Sequence, residues 1–366
     1  MILVILIILI LYVNKILQYR FGWNKNIVTN RSAHPNVSVV VSIRNESHNI
    51  LQLINSLKSQ VYPIENLEFI LINDHSTDAT LSILENSDLE NLKVIDMPVG
   101  VFGKKNAINL AIPNAKGDII LLSDADCLFD SYWIRTMVGY FRNDSVKLVS
   151  GPVVIKEKKG FFQKIQSLEF ISLISSGAGA IGSNDAIFCN GANMAYKKDV
   201  FLEINDYEHE TSVSGDDVFL LHRVKREYPK SIVFAKHKSA IVTTNSIDSL
   251  KSFLNQRIRW TSKSSEYKDT STIYTSFLVM FTNLSLLTLF FTLLFNNNYI
   301  FYFTLFYLIK FLIDYLFLSP ALDFFERHDL KKWIFVFELF YSFYVILIII
   351  LSFTRKFEWK GRIHNK

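Results

Sequence analysis

The stretch Asp118-Ile-Ile-Leu-Leu-Ser-Asp124-Ala125-Asp126-Cys127 decides how this chain is read. A short apolar run ends in two carboxylates one residue apart. The run reads as a strand buried on both faces. Two carboxylates that close raise each other's pKa, so a positive partner is expected beside them. A divalent cation on a diphosphate would serve, and oxygen-only ligands suit magnesium or manganese.

Outward from this stretch, short apolar runs alternate with amphipathic segments. Residues 37–43, 67–72, 92–95 and 118–122 read as strands. Residues 46–59, 78–86 and 104–112 read as helices. Such alternation predicts an α/β domain with an open, mostly parallel sheet and helices on both faces. Ligands of these sheets bind outside the carboxyl ends of the strands. Polar clusters stand at those ends: Arg44-Asn45-Glu46, the run from Asn73 to Asp78, and Asp124-Ala125-Asp126. Three clusters on one rim make one crevice. The chain has no Gly-x-Gly-x-x-Gly and no phosphate loop, so a bound nucleotide must be held mainly by side chains and metal.

The 366 residues are half apolar and carry a mild net charge of +5. Apolar residues concentrate in residues 1–18 and in three stretches near 272–293, 299–318 and 333–353, each close to bilayer length. Residues 1–20 are expected to be an uncleaved anchor, with the N-terminus outside and the next domain in the cytoplasm. A linker over 21–36, a catalytic domain over 37–245, an interfacial helix over 246–270, membrane helices over 271–353 and a basic tail over 354–366 complete the expected order. Basic residues cluster beside the apolar ends, at Lys15, Arg20, Lys25 and Arg31, then Lys251, Arg257, Arg259, Lys263 and Lys268. That pattern suits an anionic membrane surface, and no nucleic-acid partner is expected. Lys310 and Asp314, four apart, either pair inside a helix bundle or mark an interfacial helix. Three full C-terminal spans would leave the basic tail outside, against the positive-inside rule, so one candidate is expected not to cross. Cys127 and Cys189 are too few for a disulfide framework.

The order of motifs resembles glycosyltransferase family 2, membrane-bound branch, with a GT-A catalytic domain. The matching residues are Ser42-Ile43-Arg44-Asn45-Glu46, Asn73-Asp74-His75-Ser76-Thr77-Asp78, Gly103-Lys104-Lys105-Asn106-Ala107, Asp124-Ala125-Asp126, Gly215-Asp216-Asp217 and Gln256-Arg257-Ile258-Arg259-Trp260. Asn73 stands where many relatives have Asp, and Asp216-Asp217 where Glu-Asp is commoner. The resemblance implies an inverting enzyme that takes a nucleotide-sugar donor, usually a UDP-sugar, with Mg2+ or Mn2+. It places Asn45, Glu46, Asp74, Lys104, Asp124 and Trp260 at the donor and Asp126 with Asp124 at the metal. It makes Asp217 the general base, with Gln256 and Arg259 also catalytic. Asn190 and Gly191 fall in a segment resembling the acceptor-side loop.

Elementary chemistry gives several of these residues a second reading. The run from Asn73 to Asp78 precedes a helix and suits capping, most of all at Ser76 and Asp78. Asn45 and Glu46 also begin a helix. Lys104 opens a helix, where the dipole disfavours a cation, so a nearby anion is expected, the donor diphosphate being the natural candidate and a solvated lysine the second reading. Asp216 fits a cap better than a catalytic role. Arg257 and Trp260 suit a lipid anchor on an amphipathic helix over 251–263. Residues 161–174 read as an apolar helix that is core or an acceptor-guiding surface, with core favoured. The acceptor is expected to be a lipid or lipid-linked glycan. The alternatives are a processive polysaccharide synthase, disfavoured by the few spans, and an inactive membrane scaffold, disfavoured by intact Asp126 and Asp217.

Overall fold

The structure is a computed structural model and describes residues 1–25, 34–204, 216–355, 357–359 and 362–364. Arg31 and Gly215, named above, and residues 356, 360, 361, 365 and 366 of the basic tail lie outside the described residues. The chain opens with α1 (Ile2–Trp23), then β1 (Val37–Ile43), α2 (Ile50–Lys58), β2 (Leu67–Asn73), α3 (Thr80–Glu85), β3 (Leu92–Asp96) and α4 (Lys104–Ala111). Next come β4 (Ile119–Asp124), β5 (Leu128–Phe129), α5 (Trp133–Val138), β6 (Leu148–Ser150), β7 (Val153–Ile155), α6 (Phe161–Gly182) and β8 (Asn193–Lys197). Then follow α7 (Lys198–Ile204), α8 (Asp216–Glu227), β9 (Ile232–Phe234), β10 (Val242–Thr244) and α9 (Leu250–Ser262). The chain ends in α10 (Thr270–Phe295), α11 (Ile300–Phe324), α12 (Trp333–Thr354), β11 (Phe357–Trp359) and β12 (Arg362–His364).

Two compact units form. One comprises Lys25–Lys156 and Asn184–Asn245, the other Met1–Asn24, Glu157–Ser183 and Ser246–Lys366. The first holds a seven-stranded sheet in the order β3-β2-β1-β4-β8-β6-β9. Strands β3, β2, β1 and β4 run parallel, as their spacing along the chain requires. Strand β8 runs antiparallel between β4 and β6. Val39, Val41, Ile70, Leu71, Ile120 and Leu121 are fully buried, which is the burial expected of strands covered on both faces. Register brings the carboxyl ends into line: Ile43 pairs with Asn73, Ser42 with Asp124 and Asn73 with Asp96. A second sheet, β5-β10-β7, carries the chain just beyond Asp126 against Thr243. This α/β fold with apolar helices at both ends is of the GT-A-like kind.

The helix expected over 46–59 starts only at Ile50. Asn45 adopts a left-handed backbone (φ 52°), and the amides of Glu46 and Ser47 are taken by Thr80 Oγ1 and an Asp78 carboxylate oxygen. These contacts tie residues 45–47 to the loop after β2, and the chain turns through Asn49 before α2 begins.

In the other unit, four helices are long and apolar enough to cross a membrane among the described residues: α1, α10, the segment ending α11, and α12. Their ends extend the apolar stretches read from sequence by a few residues. Helix α1 packs on α6, α10 and α11. At the α1–α6 crossing a Cβ on Gly22 would overlap the Gly179 carbonyl, and one on Gly182 would overlap that of Gly22. Small residues let these backbones touch, a common solution where lipid removes the hydrophobic drive between helices. Helix α6 is buried along most of its length, which makes it core. Lys310 and Asp314 do pair, at 2.8 Å, and the ammonium also meets Glu338 of α12, while Tyr12 donates to Asp314 at 2.7 Å.

Candidate active site

The turns after β1 and β2 are tied together by their own polar groups. Asn45 Oδ1 accepts from the Thr77 amide at 2.7 Å, and the Asn45 amide donates to Ser76 Oγ at 3.0 Å. Glu46 accepts from Asn49 Nδ2 at 2.7 Å. Asp78 accepts from the Thr80 amide and hydroxyl just ahead of α3, whose N-cap position is Ala79. Asn73 Nδ2 donates to Asp96 at 2.6 Å and Asn73 Oδ1 accepts from the Ser76 amide.

Asp74 is buried, and its Oδ2 accepts from the Gly103 amide at 3.0 Å. Gly103 has φ 92°, a conformation that favours glycine, and it leads directly into α4. His75 Nδ1 lies 3.1 Å from Asp74 Oδ1, and Arg44 Nη1 donates to the Asp74 carbonyl at 2.8 Å. Asp74 therefore fixes the loop that aims α4. This anchoring stands beside the donor contact read from the motif.

Helix α4 delivers Lys104, and the anion its position called for is Asp124 at 2.5 Å. The same ammonium donates to the Gly191 carbonyl at 3.1 Å. Gly191 in turn donates its amide to Asp217 Oδ2 at 2.9 Å. Asp217 Oδ1 accepts from the Val218 amide, so the carboxylate is fixed by backbone at the start of α8. A Cβ on Gly191 would stand 3.2 Å from Asp217 Oδ2 and 3.3 Å from Lys104 Nζ. That crowding is a physical reason for glycine there. Asn190 closes the same turn, with its Oδ1 accepting from the Ala192 amide at 2.9 Å. Four positions read separately from sequence, Lys104, Asp124, Gly191 and Asp217, thus meet at one place.

Asp126 lies two residues beyond Asp124. Burial first, then the neighbouring charge of Asp124, holds its carboxyl above the usual carboxylate range, partly offset by the Thr244 hydroxyl, which donates at 2.8 Å. Such a group favours a cation beside it. Among the described residues no three His, Cys, Asp or Glu side chains gather as a ligand set. The donors present are two carboxylates, to which a substrate would add phosphate oxygens. That set fits magnesium or manganese, which keep several waters and need few protein ligands. Cys127 is buried, and burial pushes its thiol up, which suits a packing residue. Thr244 went unread in the sequence, because a threonine ending a short strand carries no signal.

Comparison with known proteins bears on the family resemblance and the fold. Residues 38–204 match the family model described as Glycosyl transferase family 2. A poly-beta-1,6-N-acetyl-D-glucosamine synthase of Staphylococcus epidermidis is 28% identical over 232 residues, 61% of this chain and 53% of the relative. The synthase of the same name from Staphylococcus aureus (strain COL) is 26% identical over 212 residues, 55% of this chain and 48% of the relative. The chain thus spans about half the length of these curated relatives. Among solved structures, a mannosyltransferase of Pyrobaculum calidifontis in complex with GDP-Man and Mn2+ has a TM-score of 0.62 at 16% identity. That likeness covers 96% of each chain and shows a shared fold.

The matched segment carries Asn45, Glu46, Asp74, Lys104, Asp124, Asp126, Asn190 and Gly191. Asp217 lies beyond its matched end but in the same compact unit. Gln256, Arg259 and Trp260 belong to α9 in the other unit. Arg257 corrects the sequence reading. It is no lipid anchor, being 4% exposed and paired with Glu169 of α6.

Proposed function

We propose that this chain is an inverting, metal-dependent membrane glycosyltransferase that extends a polysaccharide from a nucleotide-sugar donor. The observation that carries the reaction type is the meeting of Lys104, Asp124, Gly191 and Asp217 on the strand-end rim beside Asp126. Asp126 and Asp124 would hold Mg2+ or Mn2+, which when bound supplies Lewis-acid neutralisation of the departing diphosphate. Lys104 adds a second positive charge for the same phosphates. Asp217 takes the proton of the acceptor hydroxyl. That oxygen bonds to the anomeric carbon as the bond to the diphosphate breaks, inverting the centre. The Gly191 and Val218 amides hold the carboxylate of Asp217 in place without taking up every lone pair. Asn45, Glu46 and Asp74 shape the nucleotide side, and Asn190 the acceptor side. The resemblance gives Gln256, Arg259 and Trp260 to catalysis and donor binding.

The named relatives support a polymer product, and point to a nucleotide-activated N-acetylglucosamine such as UDP-N-acetylglucosamine. The long apolar helices that flank the catalytic unit along the chain favour a second reading, single transfer to a lipid or lipid-linked glycan. Purified protein in nanodiscs, fed labelled UDP-N-acetylglucosamine with Mn2+, separates them on a sizing gel. A ladder or smear of long products supports the synthase, and a single extractable lipid product supports the alternative. Absence of transfer or hydrolysis with any UDP- or GDP-sugar, and of metal-dependent nucleotide binding, would remove both.

The basic residues Lys15, Arg20 and Lys25 at the far end of α1 support a cytoplasmic catalytic domain. Three helices would then cross: α10 begins beside Tyr19 of α1, and α11 ends beside Trp23. Helix α12 starts against α6, where Trp333 meets Phe161. Halfway along, Tyr344 packs on Phe253 of α9, and β11 also lies on α9. A crossing helix of this length would carry its end about 33 Å away. Helix α12 also packs on α10, with Phe343 against Phe290 and Phe291, and in this reading its contacts with α9 keep the basic tail on the cytoplasmic side.

A further inference from the structure

The sequence reading treats Gln256 to Trp260 as one motif, yet its members face different ways. Arg257 points into protein. Its Nε donates to Glu169 Oε1 at 2.8 Å and its Nη2 donates to Glu169 Oε2, a forked pair. Tyr344 donates its hydroxyl to the same Oε1 at 3.0 Å. The remaining nitrogen, Nη1, donates to Gln256 Oε1. The guanidinium lies 4.4 Å from the Phe253 ring centroid and 4.3 Å from that of Trp260. One side chain thus orients Gln256 by a hydrogen bond and Trp260 by stacking, and is itself fixed by a carboxylate from another helix.

We propose that Glu169 is a positioning residue: through Arg257, and with Tyr344, it sets the rotation of α9 and so the aim of Gln256, Arg259 and Trp260. This rests on the reading above that those three serve the reaction. Helical spacing puts Arg259 nearly opposite Arg257 on α9. A rotation of about 15° would move a group ~6 Å from the helix axis by ~1.5 Å. Misplacement of about 1 Å can cost ~100-fold in rate. Lysine cannot replace Arg257, since it lacks the planar fork that meets both carboxylate oxygens and stacks between rings.

The test uses the full chain in nanodiscs with Mn2+. The donor is whichever of UDP-N-acetylglucosamine, UDP-glucose or GDP-mannose the wild type turns over fastest. Glu169→Gln is expected to lower kcat by ~100-fold, with donor KM and Mn2+–UDP affinity within about threefold of wild type. Glu169→Asp should recover part of kcat and Arg257→Lys should not. Tyr344→Phe, which leaves the ion pair intact, should lower kcat by about fivefold, a fraction of the loss one hydrogen bond allows. Arg259→Ala separates the two ideas. Wild-type kcat in Arg259→Ala would sink the catalytic reading of the motif. Wild-type kcat in Glu169→Gln beside an inactive Arg259→Ala would sink the positioning role alone. If Glu169→Gln fails to fold while Tyr344→Phe keeps wild-type kcat, the ion pair is structural only and the proposal falls.

Discussion

Replacing Asp217 by Asn is the most telling perturbation of the site. The carboxylate accepts from two backbone amides, Gly191 at 2.9 Å and Val218 at 2.9 Å. An asparagine has one carbonyl oxygen, so one of these hydrogen bonds is lost, at about 1 kcal/mol. Loss of the negative charge from the start of α8 adds about 0.3–1 kcal/mol. The structural cost is therefore small beside typical domain stability. The chemical cost is larger. A general base is worth roughly 10²–10⁴-fold in rate, or about 2.7–5.4 kcal/mol of barrier. Asp217→Asn should thus keep its fold and its Mn2+-dependent affinity for UDP while kcat falls by at least ~100-fold. Nucleotide release followed by a coupled assay gives kcat, and calorimetry gives the affinity. Asp216→Asn is the control and should stay within about threefold of wild type, as expected of a capping residue with no part in the chemistry. Asp217→Asn turning over within tenfold of wild type, or an equal loss in Asp216→Asn, would remove Asp217 as the base.

Further predictions concern the metal site, the membrane unit and the tail. Asp126→Asn should erase the metal dependence of UDP binding. It should also raise the melting temperature of metal-free protein at neutral pH. The Asp126 carboxyl is held above its unfolded value of about 3.9, so its ionisation costs stability. That cost is absent below the unfolded value and appears as pH rises through the folded one, so the gap between variant and wild type should close in acid. Lys310→Met leaves Asp314 and Glu338 buried together without their cation, and a loss on the order of 3–5 kcal/mol should show as early thermal aggregation in detergent. Gly179→Val should separate α1 from α6, because even one Cβ there would overlap the Tyr19 backbone, and the read-out is loss of a monodisperse peak. A reporter fused after Lys366 should be active only in the cytoplasm, and external activity would show that α12 crosses.

The strand-end rim was legible in the sequence because each component is local. Three buried strands, each followed by polar residues, fix both the parallel sheet and the edge where ligands bind. The meeting of Lys104 with Asp124 was half legible: the dipole at α4 called for an anion, but the sequence offered the donor phosphate rather than a side chain. Contacts between distant segments were not legible. Thr244 reaches Asp126 across 118 positions, and Glu169 reaches Arg257 across 88. An arginine beside a membrane segment reads as a headgroup anchor until the fold supplies its carboxylate. The start of α2 was misjudged for a related reason, since residues 45–47 are tied to the distant loop at Ser76, Asp78 and Thr80.

The central claim is that Asp126 and its neighbours hold a cation-bridged diphosphate beside Asp217. Anomalous scattering from crystals grown with Mn2+ and a nucleotide sugar tests it most directly. The account predicts one manganese peak in contact with Asp126 and the diphosphate, with the anomeric carbon facing Asp217. A peak held by other side chains, or a diphosphate bound away from Lys104, would contradict it.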